Sequence, residues 1–66
     1  MNKTFTGSFD DLDQARAARK DMIAAGIPQE KIFVDEDQQQ IKVIVPEELS
    51  PQIREVFGIH DLTEAQ

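Results

Sequence analysis

His60, followed at once by Asp61, is the nearest this sequence comes to an acid–base pair, and Asp35-Glu36-Asp37 is its densest group of carboxylates. Neighbours on an extended segment point to opposite faces, so His60 and Asp61 read there as ordinary surface groups and not as a dyad. A nucleophilic triad would have to recruit Ser8, and nothing around that serine resembles a Gly-x-Ser-x-Gly elbow. Calcium needs about six to eight oxygens, and the 35–37 turn lacks the glycine and distal glutamate of an EF-hand loop. No Gly-x-Gly-x-x-Gly or Walker loop offers a cradle for phosphate. With no cysteine there is no thiolate nucleophile, no disulfide framework, no thiol zinc site and no Cys-x-x-Cys metal loop. These residue types point to a protein that is not an enzyme and carries no cofactor or metal.

Charge narrows the partners further. Thirteen acidic against seven basic residues give a net charge of −6. Affinity for a phosphate backbone depends on cationic contacts, so nucleic acid is not the expected partner. An anionic membrane surface is disfavoured for the same reason. The N-terminal residues lack the apolar run of a signal peptide, no segment reaches membrane length, and a cytoplasmic protein is the expectation.

Any site must be held by elements within one domain spanning residues 1–66. The clearest is a helix from Asp10 to Ala25. Asp10 reads as its N-cap, Asp11 and Asp13 suit the positive end of the dipole, and Arg16, Arg19 and Lys20 follow. Leu12, Ala15, Ala18, Met22 and Ala25 make one apolar stripe. Gly26 supplies a left-handed C′ residue, Ile27 closes a Schellman motif onto Met22, and Pro28 stops the helix.

The remaining elements are short. Lys3 to Phe9 alternates as a strand, with Phe5, Gly7 and Phe9 on the buried side. Gly7 reads either as a place for close approach of a helix, for which the long helix's small residues are suited, or as a bulge. Lys31–Asp35 and Ile41–Val45 read as a hairpin around a polar loop, ended by Pro46. Ser50 as N-cap and Pro51 at the first helical position open a second helix with Ile53, Val56 and Phe57 on its apolar side and Gly58 as its stop. Ile59–Leu62 alternates as a last strand before a fraying tail, Thr63–Gln66; an irregular or helical end is the alternative. The order β-α-β-β-α-β predicts an α+β, ferredoxin-like two-layer sandwich. It has a four-stranded antiparallel sheet, first and third strands central, with both helices on one face. The expected core is Phe5, Phe9, Leu12, Ala15, Ala18, Met22, Ile32, Val34, Ile41, Val43, Val45, Ile53, Val56, Phe57 and Ile59.

That sandwich leaves one sheet face uncovered. If Ile32 and Val34 face the helices, Phe33 faces out, and Ile44 and Lys42 do likewise. One hairpin register sets Phe33 opposite Ile44; a slip sets it opposite Lys42. Thr4 and Thr6 flank them on the first strand. Phe33, Ile44, Thr4, Thr6 and Lys42 are therefore the expected partner-binding residues, for a second copy or another protein.

The run Phe9-Asp10-Asp11 … Ala15 … Ala18 … Met22-Ile23-Ala24-Ala25-Gly26-Ile27-Pro28 … Ile32-Phe33-Val34 resembles small bacterial general stress protein (heat-induced stress protein) domains. Ile41–Val45 and the Phe57-Gly58-Ile59-His60-Asp61-Leu62 ending look like a compressed second half of the same pattern. The resemblance implies a stress-related setting and carries over no functional residue. The leading expectation is a non-enzymatic interaction or self-association module. The alternative is a small-molecule-sensing, ACT-like regulatory domain, with ligand positions at the loops Gly26–Glu30 and Ser8–Asp10.

Overall fold

The computed structural model describes residues 1–65, and for Ala65 only the backbone. Its elements are β1 (Asn2–Ser8), α1 (Leu12–Ala24), β2 (Ile32–Asp35), β3 (Gln40–Pro46), α2 (Ser50–Ile59) and β4 (Thr63–Ala65). Three-residue 3-10 turns at Gln29–Lys31 and Glu47–Leu49 precede β2 and α2. The sheet order is β2-β3-β1-β4, every neighbouring pair antiparallel, so β1 and β3 are central as expected.

The backbone bonds at the ends of the β1–β3 ladder fix which edges are open. Phe9 N donates to Gln39 O and Glu47 N to Met1 O, each at 3.0 Å, and both continue the register that pairs Phe5 with Val43. Hydrogen-bonded and non-hydrogen-bonded pairs alternate along an antiparallel ladder. The odd-numbered residues of β3 therefore spend their backbone groups on β1, and Gln40, Lys42, Ile44 and Pro46 turn theirs toward β2. Pairing with β2 ends at Ile32↔Val43, three residues before β3 does. Lys31 N is spent on Pro28 O (3.0 Å) in the preceding turn and cannot extend the ladder.

Helix α1 begins one residue later than expected. Asp11, not Asp10, is the N-cap: its Oδ1 accepts from Asp13 N at 3.0 Å, and Gln14 Oε1 accepts from Asp10 N and Asp11 N at 2.9 Å each. This is a capping box, and it works because residue 14, three places after Asp11, carries an amide able to reach back. The far end ends in the expected Schellman motif. Ile27 N donates to Met22 O and Gly26 N to Ile23 O, with Gly26 at φ +99°.

Helix α2 departs from expectation at both ends. Ser50 and Pro51 lie inside it, Leu49 takes the cap position, and Ser50 Oγ donates to Glu47 O instead of capping. Gly58 does not stop it. The helix runs through Ile59 and closes in a second Schellman motif, with Leu62 N on Phe57 O (2.8 Å), Asp61 N on Gly58 O (3.4 Å), and Asp61 left-handed at φ +57°. Ile59–Leu62 is thus helix end and turn, and the last strand is Thr63–Ala65, within the stretch expected to fray. Gln66, the rest of that stretch, lies outside the described residues.

The buried residues form a single cluster from the inner face of the sheet and both helices: Phe5, Ile32, Ile41, Val43 and Val45 with Ala15, Ala18, Met22, Ile53 and Phe57, closed by Phe9, Ile27 and Leu62. Leu12, Val34 and Val56, expected inside, are partly buried. Ile59 is 63% exposed, because the turn that ends α2 sends Leu62 inward in its place. Gly7 does allow close approach, but of α2 and not of α1. A Cβ there would stand 3.0 and 3.1 Å from the Phe57 ring and 3.3 Å from Leu62 Cβ.

Candidate functional site

The open face of the sheet is built by alternation. Phe33, Thr6, Lys42 and Ile44 each lie between two residues that pack in or against the core, so alternation turns them away from the helices, and Thr4 follows from Phe5 beside it. The hairpin loop is Glu36–Gln39, which sets Asp35 opposite Gln40 and Phe33 opposite Lys42. Of the two registers open from the sequence, this is the one that separates Phe33 from Ile44. Thr6, Lys42 and Phe33 form one row across three strands, and Thr4 and Ile44 form the next. Ile44 is then a diagonal neighbour of Phe33, about 7–8 Å away by strand geometry and within reach of an aromatic ring. Phe33 is 50% exposed, Thr4 is exposed, and Thr6, Lys42 and Ile44 are half-buried. The face also carries Asn2, Ser8, Asp35, Gln40, Pro46 and Thr63, so it holds one acid and one base.

A second feature was only partly legible. Where β2 stops short of the end of β3, a groove of ≈ 440 Å³ opens at one end of the sandwich. Its walls are Ala25, Gly26, Ile27 and Pro28 after α1, Ile44, Val45 and Pro46 of β3, and Leu49 before α2; Asn2, Lys31 and Gln52 supply its polar side chains. The loop from Gly26, expected as a ligand position under the sensor reading, lines it; Ser8–Asp10 does not. The sequence did not mark it, because Lys31–Asp35 and Ile41–Val45 read there as strands of equal length, and only the structure shows β2 shorter than β3.

His60 is placed by the end of α2, not by a strand. Its Nε2 donates to Asp21 Oδ2 at 2.6 Å, and its side chain is 19% exposed against 50% for Asp21. Gln14 Nε2 donates to His60 O at 2.9 Å, so one capping side chain also ties the end of α2 to α1. The expectation that Asp61 makes no dyad with His60 rested on strand alternation. The partner is in fact Asp21, one helix away, with no nucleophile among their polar contacts in the described residues. This arrangement fastens the two helices. Among the described residues no helix is long and apolar enough to cross a membrane, and no three His, Asp or Glu side chains converge on a cation site. Comparison with protein-family models, with curated proteins and with solved structures finds no match.

Proposed function

We propose that this protein is a non-enzymatic interaction module that pairs with a second copy of itself through the open face of a ferredoxin-like sheet. The resemblance to general stress protein domains adds a bacterial, stress-related setting to that reading, and the cytoplasmic location expected from the sequence is kept with it. The observation that carries it is charge. The chain has net charge −6, yet the open face balances Lys42 against Asp35. Two copies can meet there without stacking like charge, and a two-fold axis allows Lys42 of each to meet Asp35 of the other reciprocally. Phe33 and Ile44 supply the apolar contact. The face measures roughly 400 Å² from strand spacing and rise, about half of what each partner of a standard interface buries, so the pairing is weak.

Sedimentation equilibrium up to about 1 mM tests this, since weak pairing needs concentrations in that range. The mass should rise with concentration for the wild type and stay monomeric for Phe33→Asp. A wild type that remains monomeric throughout removes the self-association reading. The groove beside Gly26 favours a second reading, a small-molecule-sensing regulatory domain of the ACT-like kind.

A further inference from the structure

We propose that the groove between the end of α1, the end of β3 and the start of α2 binds a small apolar carboxylate, with Lys31 receiving the carboxylate. This rests on the ligand-sensing reading. The volume, ≈ 440 Å³, falls in the range of about 300–1,000 Å³ typical of small-molecule sites. The walls at Ile27, Pro28, Val45 and Leu49 are apolar, which suits a hydrocarbon or aromatic body and not a sugar or nucleotide.

Charge then selects the head group. None of the eleven lining residues is acidic, although 13 of the chain's 66 residues are Asp or Glu. Lys31 is the one charged residue in the lining, and among the described residues no carboxylate oxygen lies within 4.0 Å of its ammonium. An amine would meet that ammonium unfavourably, whereas a carboxylate would pair with it, and the amides of Asn2 and Gln52 can donate to its oxygens. An added peptide strand fits less well. Lys31 N is already committed to Pro28 O, and Pro46 has no N–H, so β3 cannot supply a complete ladder there.

The test titrates the full chain with octanoate, octanol and octylamine while following backbone amide shifts by NMR. A ligand of about ten non-hydrogen atoms at ordinary efficiency binds with roughly millimolar affinity. Octanoate should shift the amides of Gly26, Ile27, Lys31 and Val45 saturably. Octanol should bind more weakly and octylamine weakest of the three. Lys31→Gln should weaken octanoate about two- to five-fold, the contribution of a solvent-exposed ion pair, and leave octanol unchanged. If octanol or octylamine binds as well as octanoate, or Lys31→Gln leaves octanoate unaffected, the groove takes ligands but the carboxylate assignment is wrong. If none of the three shifts those amides, the assignment and the ligand-sensing reading fall together.

Discussion

Gly7→Ala is the sharpest perturbation of this fold, because one added atom lands where α2 meets the sheet. The new Cβ would sit 3.0 and 3.1 Å from the Phe57 ring and 3.3 Å from Leu62 Cβ, all tighter than ordinary carbon contact. Phe57 is 3% exposed and Leu62 7%, so neither can retreat into solvent. Leu62 is also tied through its own N–H to Phe57 O at 2.8 Å, which makes the two move together. Gly7 lies in regular strand and is not among the positive-φ residues, so alanine meets no backbone strain. Two terms then oppose each other. Overpacking a dense core costs about 1–3 kcal/mol. Replacing glycine restricts the unfolded chain and returns about 0.4–1 kcal/mol. Taken at the middle of each range, the net is a loss of about 1.3 kcal/mol, from a total of roughly 3–10 kcal/mol for a domain this size. With a urea slope of about 1 kcal/mol/M, the midpoint should fall by about 1.3 M. Phe57→Leu should cost stability alone yet cost less in the Gly7→Ala background, since the smaller side chain frees the space. A neutral or stabilising Gly7→Ala, or strictly additive effects with Phe57→Leu, would refute the claim that close approach at Gly7 seats α2.

Two further predictions separate neighbouring explanations. Asp11→Ala should cost about 1 kcal/mol in urea unfolding, the usual value of an N-cap, while Asp10→Ala changes stability by less than about 0.5 kcal/mol. The reverse order would restore Asp10 as the cap. A double-mutant cycle on Asp21→Ala and His60→Ala should show a coupling of about 0.5–1.5 kcal/mol, as for a single side-chain hydrogen bond at a partly exposed site; zero coupling would mean the 2.6 Å contact between them does not fasten the helices.

What could be read from the sequence follows how local each determinant is. The Schellman turn at Gly26 was legible because glycine, apolar Ile27 and Pro28 all lie within three residues and agree. The second such turn was hidden, since Asp61 provides the left-handed residue while Gly58, the residue that advertises a stop, sits inside the helix. Aspartate tolerates that conformation but does not announce it. The four apolar and polar residues from Ile59 to Leu62 also fit either period over so short a run. The outward direction of Phe33 needed only alternation and was legible. Its row mate was not, because the loop that sets the register places Gln39 at φ +56°, a position usually marked by glycine or asparagine. The groove depends on β2 ending before β3 and on two helix ends converging, and no contiguous stretch encodes that.

Ile44 belongs to both surfaces, and this decides how they can be told apart. By alternation it stands on the open face beside Thr4 and diagonal to Phe33, yet it also forms part of the groove wall where β2 is missing. A substitution at Ile44 would therefore disturb pairing and ligand binding alike, and its effect could be assigned to neither. Phe33 is absent from the groove lining, and Lys31 lies before β2 begins, off the paired part of the open face. Phe33→Asn, which removes the aromatic contact without adding a charge two residues from Lys31, should weaken association and leave octanoate affinity intact. Lys31→Gln should weaken octanoate and leave the sedimentation profile intact. Because Ile44 spans both, octanoate should also alter association in the wild type, and the sign follows from linkage: if pairing covers the groove mouth, each must weaken the other by the same factor. Association and octanoate affinity that are both unaffected by each other would place the two surfaces on independent faces, with Ile44 a passive member of each.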